Sequence, residues 1–259
     1  MELIDTHCHL TFEQLAGDVE QVLQRSKAAG ITGWLTVGTD TQQNRKAIEL
    51  ANKFENMYAA VGIHPHESKN ATDETIAELK NAAQNKKVVA IGETGLDFHY
   101  NFSEQPDQSR LFAEQLKIAA ELDLPVIVHS REAFDETMVL LERFGSSVKK
   151  VVFHCFSGSA EQAKIVLDNG FYISFTGVVT FKNAEAARDT ARVVPLDRLM
   201  LETDCPYMSP EPMRRQKVNE PALMFHTAQC LAGLKGMVLS DFAEAVTATS
   251  RAFFGLSET

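Results

Sequence analysis

Short apolar and β-branched runs alternate with amphipathic stretches along the whole chain of 259 residues. Runs such as Val88-Val89-Ala90-Ile91 and Val126-Ile127-Val128 carry no polar position, the pattern of strands buried on both faces. Strands are predicted near 2–6, 32–37, 58–63, 88–93, 124–129, 150–154, 171–175 and 198–203. Helical periodicity follows each one, near 14–29, 41–55, 73–85, 105–122, 132–144, 160–169, 183–193 and 219–233, and a last helix is predicted near 239–254. Gly30 and Gly170 fall where helices should stop, and Ser159 and Asp73 where they should start. Eight βα repeats in series predict an α/β fold: a single TIM-type (β/α)8 barrel with an extra C-terminal helix, one domain over residues 1–259. An open doubly wound sheet is the alternative.

Composition narrows this only a little. Hydrophobic residues at 44% and charged residues at 23% allow a sizeable core. A net charge of −10 opposes wrapping duplex DNA, because phosphate is repelled, but bound cations would leave a nuclease possible. Cys8, Cys155, Cys205 and Cys230 show no Cys-x-x-Cys spacing, so neither a zinc ribbon nor a redox motif is indicated and buried thiols in a reducing cytosol are expected. The start at Glu2-Leu3-Ile4-Asp5 reads as a strand rather than a signal peptide, and no run approaches a membrane span. The expectation is a cytoplasmic, monomeric chain without membrane contact.

The candidate chemistry lies at the ends of the strand runs. His7 and His9, two apart in an extended segment, put both imidazoles on one face. Glu93 closes Val88-Val89-Ala90-Ile91-Gly92, where a buried carboxylate wants a cation. His129 and His154 end consecutive strands, and Asp204 follows the eighth, which in a closed barrel lies beside the first. Four imidazoles and two carboxylates exceed the need of one catalytic ion. Two divalent ions (Mg, Mn or Zn) are therefore expected: His7, His9 and Asp204 on one, His129 and His154 on the other, with Glu93 bridging.

The runs Asp5-Thr6-His7-Cys8-His9, Gly62-Ile63-His64-Pro65-His66, Gly92-Glu93-Thr94-Gly95-Leu96-Asp97, Val128-His129-Ser130-Arg131, His154-Cys155-Phe156-Ser157-Gly158 and Glu202-Thr203-Asp204-Cys205-Pro206-Tyr207 closely resemble the TatD family of metal-dependent deoxyribonucleases, in order from residue 1 to about 255. The resemblance implies a distorted barrel of the amidohydrolase superfamily, the same six metal ligands, and hydrolysis of DNA, often as a 3′–5′ exonuclease. D-aminoacyl-tRNA deacylation is the alternative activity it implies. Family members often carry Arg-Gly-x-x-Asn-(Glu/Gln)-Pro after the eighth strand; here Gln216 replaces the glycine after Arg215.

The mechanism expected is attack of a metal-activated hydroxide on phosphorus, with Asp204 taking the proton. His64 is expected to contact phosphate or assist the leaving oxygen, Arg131 and Arg215 to hold phosphate, and Glu202 to orient a ligand from behind. His66 reads as exposed loop. Phe98, Tyr100, Phe102 and Tyr207 lie in the two long loops after proposed ligands, where bases can stack. The expected substrate is short or single-stranded DNA, with RNA or tRNA as alternatives. A non-catalytic binding protein is the rival class, which the intact ligand set opposes.

Overall fold

The computed structural model describes residues 2–257. Eight strands form where the apolar runs lie: β1 (Leu3–Cys8), β2 (Ile31–Val37), β3 (Met57–Val61), β4 (Val88–Asp97), β5 (Val126–Arg131), β6 (Val151–Phe153), β7 (Tyr172–Phe175) and β8 (Leu199–Leu201). They follow chain order in an eight-stranded sheet. Between them run α1 (Glu13–Ala16), α2 (Val19–Ala28), α3 (Thr41–Lys53), α4 (Asp73–Ala82), α5 (Gln105–Leu122), α6 (Phe134–Phe144), α7 (Ala160–Asp168), α8 (Glu185–Val193), α9 (Met224–Leu234) and α10 (Leu239–Phe254). No single helix among the described residues is long and apolar enough to cross a membrane.

Local chemistry sets most boundaries. Ser159 caps α7 in a capping box with Gln162, as its hydroxyl predicts. For α4 the cap is Thr72, paired with Thr75, and Asp73 is the first helical residue instead. The helix predicted over 14–29 is broken: α1 ends before Gly17, and α2 begins after Asp18. Gly30 and Gly170 take φ of 88° and 76°, beyond the ends of α2 and α7.

Two compact units share the chain. Thr36–His154 is continuous; the segment ending at Leu35 and the segment beginning at Cys155 together make the second, split unit. In the continuous unit β3, β4, β5 and β6 pair in parallel, each with the next. Two buried glutamines of α5 satisfy backbone where β3 and β4 end. Gln115 receives Ile63 N at 2.8 Å and donates to Ile63 O at 2.9 Å and to Thr94 Oγ1 at 2.6 Å. Gln108 receives Asp97 N at 2.8 Å and donates to the carbonyls of Asp97 and Ser103. Buried amides used in this way cost nothing in lost hydrogen bonds and fix the path of the segment that follows β4.

In the split unit β7 pairs in parallel with β8, and a parallel bridge joins Cys8 to Cys205. Trp34 is buried and donates from Nε1 to Ser26 Oγ at 2.8 Å. The Asn219-Glu220-Pro221 run is structural. Buried Asn219 donates to the carbonyls of Thr203 and Tyr207, and Glu220 takes a bidentate pair from Arg25 of α2.

Candidate metal centres

In the continuous unit the site is built on β4. The β4–β5 register shifts between Ile91 and Thr94, a bulge at Gly92 and Glu93. Bulges re-aim side chains, and this one interrupts the even alternation that runs along Val89 and Ile91 toward Glu93. Beyond it Thr94 meets Gln115 of α5, while Glu93 and Asp97 both reach His129. Between them, Gly95 pairs with His129 at φ 137°, and a Cβ there would lie 2.0 Å from the His129 carbonyl oxygen. Only glycine lets the two strands approach this closely.

The donor atoms then converge. Glu93 Oε1 lies 2.8 Å from His129 Nδ1 and 2.8 Å from His154 Nε2, and those two nitrogens are 3.2 Å apart. A cation held at about 2.0–2.2 Å by tetrahedral ligands separates their atoms by roughly 3.3–3.6 Å. The edge between the two imidazoles is close to that spacing, the two edges to Glu93 are hydrogen-bond distances that would lengthen around an ion, and the donor set of two imidazoles and a carboxylate suits a divalent transition metal. His64 Nε2 stands 3.4 Å from the same oxygen. Its Nδ1 accepts from His66 N, which leaves the ring proton on Nε2, facing Glu93.

Charge in this cluster follows from burial and partners. Burial opposes ionisation of Glu93, but His154, His64 and His129 overcome it and hold the carboxyl well below its usual range. Desolvation lowers His64 to about 4, against the pull of Glu93, so the ring is neutral at pH 7. His129 is also desolvated, yet its hydrogen bonds to Asp97 and Glu93 win and its pKa is raised. Asp97 Oδ2 is 3.0 Å from His129 Nε2, on the side away from Glu93. The carboxylate accepts a hydrogen bond from Nε2–H, so Nδ1 is available as a metal ligand, the carboxylate–histidine arrangement of metal sites.

The split unit holds a second cluster. His7 Nε2 and His9 Nε2 are 3.2 Å apart, and Asp204 Oδ1 lies 3.8 Å and 3.4 Å from them. All three residues are buried, and their donor atoms fit a single cation by the same spacing argument. Asp204 is brought there by backbone: its N donates to His7 O at 2.9 Å, and His9 N donates to Cys205 O at 2.9 Å. Asp204 takes φ 52°, so its direction comes from this local turn after β8 rather than from strand alternation.

Asp5 clamps the same junction. Its fully buried carboxylate accepts from Thr203 N at 3.0 Å, Thr203 Oγ1 at 2.6 Å and His7 N at 3.3 Å. Burial, working against those hydrogen bonds, pushes its pKa up to about 7. Glu202 Oε2 is 3.8 Å from His7 Nδ1, behind the nitrogen that faces His9, and its other oxygen receives Cys155 N. Cys8 points away from the cluster as alternation predicts, its thiol donating to Leu35 O at 3.3 Å.

Each predicted metal ligand thus joins a cluster within its own unit. The proposed phosphate contacts do not form ion pairs among the described residues: Arg131 lies over the Tyr100 ring and Arg215 is exposed between Asp204 and α9. Three residues escaped the sequence reading. Asp97 shares a strand face with Glu93, a spacing that points to it. Asp5 stands two before His7, and the same alternation applies. His66 Nε2 lies 3.0 Å from Asp97 Oδ2, and nothing near it in sequence announces that pairing.

The model of the TatD related DNase family matches residues 4–255. The chain belongs to the TatD related DNase family. A Bacillus subtilis relative of the family, an uncharacterized metal-dependent hydrolase, is 38% identical over 98% of this chain and 100% of its own length. A 3′-5′ ssDNA/RNA exonuclease TatD of Erwinia amylovora is 37% identical over 98% of this chain and 100% of its own. The crystal structure of a TatD homolog from Escherichia coli K12 superposes with a TM-score of 0.92 at 33% identity, covering 98% of each chain. TatD membership places the chain among metal-dependent hydrolases, and its strands and helices have the (β/α)8 order of a TIM-type barrel.

Proposed function

We propose that this chain hydrolyses phosphodiester bonds in nucleic acid, as a 3′–5′ exonuclease acting on single strands, with one divalent cation on each cluster. The observation that carries the reading is the Glu93–His129–His154 triangle, with edges of 2.8, 2.8 and 3.2 Å, in a chain 37% identical to a single-strand exonuclease. His7, His9 and Asp204 hold one ion; Glu93, His129 and His154 hold the other. Bound there, such cations acidify a water and stabilise charge on phosphoryl oxygens. Asp204, the most exposed residue of its cluster at 8%, is the base that takes the proton. Neutral His64 offers its Nε2 proton to the phosphate or the leaving oxygen, and Glu202 holds the ring of His7. Arg131 and Arg215 bind the backbone of the strand. Cys8, Cys205 and Cys230 form no disulfide, in keeping with a reducing cytoplasm.

The test is release of nucleotides from end-labelled single-stranded DNA with Mg²⁺ or Mn²⁺. Activity that rises with added metal and is abolished by His154→Ala supports the reading. Inert DNA together with brisk hydrolysis of a D-aminoacyl-tRNA would replace it with the ester-cleaving alternative.

A further inference from the structure

A stack of three flat groups stands beside the cluster of the continuous unit. The Arg131 guanidinium lies over the Tyr100 ring, 4.7 Å from its centroid. The Tyr100 and Phe102 rings are nearly parallel, at 14°, with centroids 5.4 Å apart. These rings are 48% and 57% exposed, which is unusual for large apolar groups so close together. They lie on the segment between β4 and α5, whose path Gln108 and Asp97 fix: Asp97 receives the backbone N–H groups of His99 and Tyr100 at 3.0 and 2.9 Å. The stack also touches the metal ligands through one chain of contacts. His66 lies edge-on to Phe102 at 4.8 Å and to Tyr100 at 5.6 Å, and shares Asp97 with His129.

We propose that Arg131, Tyr100 and Phe102 form a stacking subsite for an unpaired base of a single-stranded nucleic acid, with Arg131 holding an adjoining phosphate. The inference rests on the hydrolase reading above and deepens it by naming what selects the substrate. A flat pair of rings suits a flat ligand; an aliphatic side chain or lipid tail needs a concave groove. A guanidinium stacked by its face keeps its in-plane N–H donors for a phosphate. Arg131 has no carboxylate partner among the described residues, and its acidic neighbour Glu132 is engaged with His99 at 2.7 Å. Base and phosphate are therefore both provided for within one stack. Inside a duplex a base's faces are covered, so the subsite selects single strands and frayed ends.

The test is a binding titration with a short single-stranded oligonucleotide whose phosphorothioate linkages resist turnover, carrying 2-aminopurine at each position in turn. At one position the wild type quenches the fluorescence, and Phe102→Ala weakens binding about tenfold and removes the quenching. Phe102→Trp restores both. An abasic residue at that position weakens wild-type binding by about the same factor and the Phe102→Ala variant no further, because base and ring form one contact. Unchanged affinity and quenching in both Phe102→Ala and Tyr100→Ala overturn the subsite, as does a wild type that binds no strand. A wild type that binds and quenches yet cleaves no phosphodiester leaves the subsite standing and defeats the hydrolase reading. Cleavage without quenching at any position does the reverse.

Discussion

One oxygen of Asp97, Oδ2, lies 3.0 Å from Nε2 of His129 and 3.0 Å from Nε2 of His66. The pairing with His129 sets which ring nitrogen carries the proton and so which one faces Glu93. Asp97→Asn keeps the size of the side chain and removes the charge. The expected result is a folded protein whose continuous-unit cluster binds metal roughly ten- to a hundredfold more weakly. Titration against a competing chelator measures this. Unaltered affinity would show that His129 is oriented by something else.

Gly95 is a purely steric prediction. A methyl group added there would meet the His129 carbonyl oxygen at 2.0 Å, in a conformation with φ 137° that L side chains rarely adopt. Gly95→Ala is expected to cost about 3 kcal/mol or more of stability, read by urea unfolding. Metal binding at Glu93 and His129 should suffer with it, since β4 must move away from β5. A variant as stable as the wild type would contradict the close approach of these strands.

Proton and metal compete at His129. Burial opposes the ring's charge, but hydrogen bonds to Asp97 and Glu93 outweigh it and raise the pKa above 6.5. In the metal-free protein this raised value adds stability that is fully present below 6.5 and is lost as pH climbs through the folded pKa. A cation must displace the same proton, so its affinity falls as pH drops, by up to roughly tenfold per unit. The gap in Tm between metal-loaded and chelated protein should therefore narrow on going from about pH 8 to about pH 6. A gap that is constant or widens toward acid would contradict this proton competition.

The buried carboxyl of Asp5 gives a second pH effect of the same sign. Its folded pKa, raised from 3.8 to about 7 by burial against the hydrogen bonds of Thr203 and His7, means that the unfolded chain releases this proton first. Stability from this group is full below 3.8 and is lost as pH rises through about 7. Asp5→Asn should flatten that slope. It also turns an amide N–H₂ toward a donor of Thr203 or His7, at a cost of about 2 kcal/mol. Thermal melts of the chelated protein across this range, with and without the substitution, provide the check.

Periodicity carried the strands and most helices, because buried strands and amphipathic helices repeat at different intervals. It also carried the return of Asp204 to His7, which the 2.9 Å backbone bond between them bears out. What it missed has local causes. The bulge at Gly92 and Glu93 breaks the even alternation of β4, and no residue pattern announces it. Thr72 and Asp73 are both good caps, and the choice fell to the one whose partner three residues on, Thr75, completes a capping box. His66 and Asp97 are 31 residues apart, and His66 follows a proline in what reads as loop, so their contact exists only in the folded chain. Arg131 has the right chemistry for phosphate, but the aromatic ring beneath it comes from another strand's loop.

The clamp that Asp5 makes with Thr203 spans 198 positions. During synthesis β1 leaves the ribosome first, and its carboxylate must wait for almost the entire polypeptide before the hydroxyl that holds it exists. Thr36–His154, uninterrupted, is complete well before then. Glu93, His129 and His154 have thus all been synthesised while the chain is still growing, whereas His7, His9 and Asp204 exist together only after translation has nearly ended.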